Sequence, residues 1–189
     1  MRHVLALVLT PLLLATLVVA SPLPAHAGST ARKDPADTES RLDLKRISLK
    51  TVKRAGATRV VGSIATHERF SKDDLDNANS LRVTFKTGPN RYRGAHVLYI
   101  GDDLVATLCT YDSPTQTGGD DCSTHPVKRT SATSVRFVVP RAAISRKKVL
   151  RWRGHAMAWT RSAGCTTAPM CNDFLGAGDA GRGFLRWRA

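Results

Sequence analysis

The sequence predicts an all-β fold: one antiparallel β-sandwich, jelly-roll or immunoglobulin-like in outline, stapled by two disulfides. Three observations carry that expectation. Short runs of alternating apolar and polar residues recur along the chain, with turn residues between them. Helix-period patterns are almost missing, which points to packed sheets. Four cysteines follow an N-terminal apolar run of the kind that directs export, so an even count reads as a disulfide framework.

The elements follow in order. Arg2 and His3 precede an apolar run from Val4 to Ala20, Pro22 and Pro24 break it, and Ala25-His26-Ala27 supplies a small-x-small cleavage pattern. Residues 1–27 are therefore expected to be a signal peptide. A membrane anchor is the competing account, opposed by Pro11, the modest length of the run and the cleavage pattern. Residues 28–40, GSTARKDPADTES, hold no apolar residue larger than alanine and are expected to form a flexible leader. Residues 41–189 are left as one domain, since a chain of this size can bury roughly two-thirds of its unfolded surface.

Leu42 and Leu44 alternate with polar neighbours, as do Ile47 and Leu49, but the phase slips by one at Lys45-Arg46, as at a β-bulge. Arg54-Ala55-Gly56 turns this strand into Thr58–His67, making a hairpin. Residues 70–80 read as a polar connection. Leu81, Val83 and Phe85 then form a half-buried strand. Ala95–Ile100, apolar on both faces except at His96, is placed centrally. Leu104–Tyr111 follows, then a long loop from Asp112 to Pro126. Val135, Phe137 and Val139 mark a strand that Pro140 ends, because proline lacks a backbone donor. A single helical turn over RAAIS leads to a long strand from Val149 to about Thr160, and 183–188 adds a short last one. That makes eight or nine strands.

The run FVVPRAAI, leading into a Trp-bearing strand, and Cys171-Asn172-Asp173-Phe174 before a Gly-rich run resemble the closing half of small secreted bacterial β-sandwich proteins. These are similar in outline to carbohydrate-binding and DOMON-type sandwiches. The resemblance spans Leu42 to Asp179 in topology and implies a fold, not an activity. No binding residue carries over from it, because no ligand motif of a carbohydrate-binding family stands intact.

Among the four cysteines, Cys109 ends a strand and Cys122 lies in the loop after it, while Cys165 and Cys171 flank a short segment. The expected pairs are Cys109–Cys122 and Cys165–Cys171. Zinc is the rival, but neither spacing is C-x₂₋₄-C. The chain has no G-x-S-x-G, H-E-x-x-H or P-loop. His67, His96, His125 and His155 sit on separate elements without a ligand-spaced neighbour. The motifs imply no cofactor. Carboxylates gather at Asp73-Asp74-Leu75-Asp76-Asn77, Asp102-Asp103 and Asp120-Asp121, with Asp112 nearby. Calcium is the metal such oxygen ligands would suit, and turn-forming aspartates are the plainer account.

Charge speaks to partners. The chain carries a formal +14, and loss of Arg2 with the signal peptide leaves +13. A polyanion is the expected partner: teichoic acid, extracellular DNA, acidic polysaccharide or an anionic membrane surface. A basic surface that merely keeps the protein soluble is the competing account. No sequence-reading nucleic-acid motif is present. The expected function is thus non-catalytic binding of an anionic polymer at the envelope or outside it. A carbohydrate-binding module tied to polysaccharide hydrolysis, or a secreted enzyme without a recognisable motif, are the alternatives.

The proposed binding residues lie on the long strand after Val149. With period two, Arg151, Arg153, His155, Met157, Trp159 and Arg161 share one face, opposite Leu150, Trp152, Gly154, Ala156 and Ala158. A regular strand puts Trp159 among Arg151, Arg153, His155 and Arg161, a platform for a polyanion or sugar ring. A bulge at Gly154 would instead turn Met157 and Trp159 into the core. The bulge is slightly favoured, because large aromatics seldom stay exposed without a reason.

Overall fold

The computed structural model describes residues 28–76, 79–114, 118–159, 163–166, 170–175 and 183–189. The signal peptide expected over 1–27, and Asn77 and Arg161, lie outside the described residues.

The strands are β1 (Ser29–Lys33), β2 (Leu44–Arg54), β3 (Ala57–Thr66), β4 (Ser80–Gly88), β5 (Arg91–Ile100) and β6 (Asp103–Tyr111). They continue as β7 (Asp120–Ser131), β8 (Ser134–Pro140), β9 (Val149–Ala158), β10 (Cys171–Asp173) and β11 (Leu185–Arg188). A helical turn, α1 (Arg141–Ile144), lies between β8 and β9, and a 3₁₀ turn, Asp73–Leu75, between β3 and β4. Hydrogen bonding runs in the order β1-β2-β3-β8-β7-β6-β5-β4-β9-β10, with β11 also on β9. Every pairing is antiparallel. The sheet curls into a half-barrel, in keeping with a sandwich, and β7 joins one half to the other. None of the described helices is long and apolar enough to cross a membrane.

Alternation decides what faces the core. Ile47, Leu49, Val60, Ile64, Val135, Phe137 and Val139 come from one half of the sheet. Leu81, Val83, Phe85, Val97, Leu108, Leu150 and Trp152 come from the other, and all are buried in one cluster. At about 25 cal/mol per Å² of apolar surface, this cluster is the main source of stability. Two glycines make room for packed neighbours, Gly62 for its cross-strand partner Phe137 and Gly154 for the opposite half-sheet. A Cβ on Gly62 would strike the Phe137 ring, and one on Gly154 would strike Ile47 Cδ1 and lie 2.9 Å from Leu175 Cβ.

The phase slip expected at Lys45-Arg46 is present as a register shift between Leu44 and Arg46. The bulge favoured at Gly154 is not. β9 pairs with β4 in unbroken register from Arg153 through Gly154 to His155, and the glycine serves close packing instead of a change of phase. The flexible leader also needs correction. Ser29–Lys33 forms an edge strand paired with Arg46–Lys50, and Ser40 is buried, its hydroxyl donating to the Ala163 carbonyl at 3.2 Å. Backbone hydrogen bonds hold this segment, and they leave no trace in side-chain hydrophobicity. The loop expected from Asp112 to Pro126 is shorter than that, because β7 begins at Asp120. Both expected disulfides are present, with Cα separations of 4.1 Å for Cys109–Cys122 and 5.7 Å for Cys165–Cys171.

Candidate functional site: a basic groove on the outer face of one half-sheet

The residues of β2, β3, β8 and β7 that do not face the core face outward, and their composition is one-sided. In β2, Leu49 is buried while Lys50 is exposed; in β8, Phe137 is buried while Arg136 is exposed. Register sets Arg136 beside Lys128 and Ser63, Lys50 beside Val61, and Val61 beside Val138. A groove of about 660 Å³ results. Lys50, Arg54, Arg59, Lys128 and Arg136 rim it, and its floor includes Val52, Val61 and Val138. All five cations are exposed, and among the described residues no carboxylate lines the groove. Neighbouring strands are about 4.8 Å apart and alternate residues of one strand about 6.7 Å apart. Cations on such a lattice can meet successive anionic groups of a flexible polymer without rearrangement of the backbone.

This groove differs from the site the sequence suggested on β9. Trp159 stands just past the strand, 41% exposed, with its backbone N–H donating to Asn79 Oδ1 at 2.6 Å. Arg151 is exposed, in register with Lys86 on one side and Arg186 on the other. Arg153 and His155, however, are only 3% and 2% exposed. The parity of the regular-strand alternative holds, but their face is covered. The His155 ring stacks on Phe174 at 4.2 Å, and the Arg153 guanidinium lies over Phe174 and Phe184 at 5.3 and 5.4 Å. The five residues therefore do not make one exposed platform: Arg153 and His155 belong to a second, internal layer, and Arg161 is outside the described residues.

That layer extends across the sheet. Arg82 lies 5.5 Å over the Tyr111 ring, on which His96 also stacks at 5.1 Å. Burial lowers the Arg82 pKa to about 10, with Arg153 adding a repulsion, so Arg82 stays charged at neutral pH. Burial lowers the His155 pKa to about 3 even though its Nε2 bonds Asn172 Oδ1 at 3.0 Å. The same cause, with Arg82 nearby, drives His96 well below the ordinary histidine value. Both rings are neutral at pH 7. Cation–π contacts of this kind contribute about 0.5–2 kcal/mol each, and they let arginine act as a covering residue in the fold.

Two carboxylates of the acidic loops are already paired. Asp74 Oδ1 accepts from Arg41 Nε and Nη2 at 2.9 and 2.6 Å, and its Oδ2 accepts from the Ser71 N–H and hydroxyl. Asp102 pairs with Lys72 at 2.5 Å. Among the described residues, the carboxylates that converge tightly enough to share a metal ion are Asp34, Asp37 and Asp173. They belong to none of the loops expected to attract calcium.

The groove could have been found from one signal in the sequence. No Asp or Glu occurs from Leu44 to His67, or from Cys122 to Asn172. The fold sets those two acid-free runs side by side as β2-β3 and β8-β7.

No protein-family model, no curated protein and no solved structure matches this chain.

Proposed function

We propose that this protein is a non-catalytic binding protein that engages an anionic polymer through the outer groove of β2, β3, β8 and β7. The observation that carries the proposal is the clustering of five exposed cations around an apolar floor, with no carboxylate among the described residues of the lining. The net charge of +14 adds long-range attraction to the local one. The apolar floor favours a polymer with carbon-rich stretches between its charges, such as a teichoic acid or an acidic polysaccharide. Two disulfides support an exported protein, since such bonds persist in oxidising compartments.

The test is retention on immobilised polyphosphate and on an acidic polysaccharide as salt is raised. For a flexible polyanion, the slope of log K against log salt is about −0.7 per neutralised charge, so five contacts give about −3.5. Affinity then falls about 100-fold between 50 and 200 mM salt. Lys128→Gln with Arg136→Gln should flatten the slope by about 1.4. Retention that ignores salt, or an unchanged slope in the double variant, would show that the groove does not bind such polymers. Salt-independent binding of a neutral glycan would favour a carbohydrate-binding module instead.

A further inference from the structure

Three carboxylates converge where the N-terminal strand joins the body of the protein, and a fourth lies beside one of them. Asp34 and Asp37 come from the connection between β1 and β2, Asp43 from the residue before β2, and Asp173 from the last residue of β10. Oxygens of Asp34, Asp37 and Asp173 all lie within 4.8 Å of one another. A calcium ion with ligands at about 2.3–2.6 Å spans opposite oxygens up to about 5 Å apart, so one ion can touch all three.

Asp43 is the second, independent sign of a ligand. It is 3% exposed, and its Oδ1 is sealed from solvent without a hydrogen-bond partner. It faces the same cluster, meeting the side chains of Asp173 and Thr38 and sensing the charge of Asp37. Asp173 already spends one oxygen on the Leu44 N–H, at 2.5 Å, which fixes its orientation. A buried carboxylate oxygen left without a donor costs several kcal/mol unless a proton or a cation meets it.

We propose that Asp34, Asp37 and Asp173, with the buried Asp43 beside Asp173, form a calcium site that clamps the N-terminal strand to β10. An all-oxygen, carboxylate-rich donor set is the type that selects calcium over softer metals. The clamp ties the first strand of the domain to a segment already held by the Cys165–Cys171 bridge.

Calorimetric titration of the purified, disulfide-bonded protein with calcium chloride at pH 8, after chelator treatment, tests this. One ion per chain is expected, with a Kd of roughly 0.1–1 mM or tighter. Asp37→Asn, an exposed position with little bearing on folding, should weaken binding at least about tenfold, as should Asp34→Asn. Asp76→Asn, beside the 3₁₀ turn, should leave it unchanged. Trypsin should cut after Arg32 or Lys33 more readily in chelator than in calcium. No heat at about 10 mM calcium, or equal binding in Asp37→Asn, overturns the site. An equal response to magnesium would reduce the effect to charge screening. Stabilisation by acid alone, with no response to calcium, would assign the cluster to a shared proton.

Discussion

Adding a methyl group at Gly154 tests both the register of β9 and the approach of the two half-sheets. The new Cβ would overlap Ile47 Cδ1 and lie 2.9 and 3.2 Å from Leu175 Cβ and Cδ2. Ile47 and Leu175 are 0% and 1% exposed, so neither has free space to move into. Overpacking of this kind costs about 1–3 kcal/mol, or about 2–4 °C of Tm per kcal/mol in a domain of this length. Ile47→Val removes the Cδ1 that the methyl would strike, at a cost of about 0.5–1.5 kcal/mol alone. In the double variant the two losses should overlap, with a coupling of about 1 kcal/mol or more. Urea unfolding of the wild type, both single variants and the double variant, all with disulfides intact, measures each term. A neutral Gly154→Ala, or losses that simply add, would mean that β9 does not present Gly154 to Ile47.

Other predictions concern the hairpin, the disulfides and pH. Ala55 and Gly56 both have positive φ, 48° and 76°, a two-residue turn that favours Asn-Gly. Ala55→Asn should therefore raise stability by about 0.5–1 kcal/mol in thermal or urea unfolding. Removing Cys109–Cys122 by paired alanine substitution should cost about 3 kcal/mol, and removing Cys165–Cys171 about 2.4 kcal/mol, from loop length alone. Equal urea midpoints for the bridged and unbridged forms would contradict that. His96 and His155 have folded pKa values below 6.5, so the unfolded chain binds more protons. Their contribution is present above pH 6.5 and is lost as pH falls, for His155 towards about 3. Asp173 acts in the opposite sense: its folded pKa of about 8 means that stability falls as pH rises from about 4 to 8 in chelator. A stability profile in chelator that kept rising from pH 6.5 to 8 would contradict the burial of that carboxylate.

The all-β class, the two disulfides, the bulge at Lys45-Arg46 and most strands were legible in the sequence. Period-two alternation records burial directly, and cysteine spacing limits which bridges can close. On β9 the regular alternation, the less favoured of the two readings, is the one that holds through Gly154. What alternation cannot record is whether the polar face of a strand meets solvent or a second cover. Phe174 and Phe184, which follow β9 in the chain, fold back over Arg153 and His155 and convert a supposed surface into an interior layer. The edge strand at Ser29–Lys33 was invisible for a related reason: main-chain hydrogen bonds hold it in place.

Both candidate sites depend on chain crossing. Lys50 and Arg136 are 86 residues apart, and only the placement of β8 beside β3 brings them to one groove. Asp34 and Asp173 come from opposite ends of the chain, and only the packing of β10 near the start of β2 brings their carboxylates together. The sequence by itself determined which faces are apolar and where the acidic residues are absent, since those are properties of residues taken a few at a time. The tertiary structure decided which charges gather, because electrostatic energy depends on distance in space and not on separation along the chain.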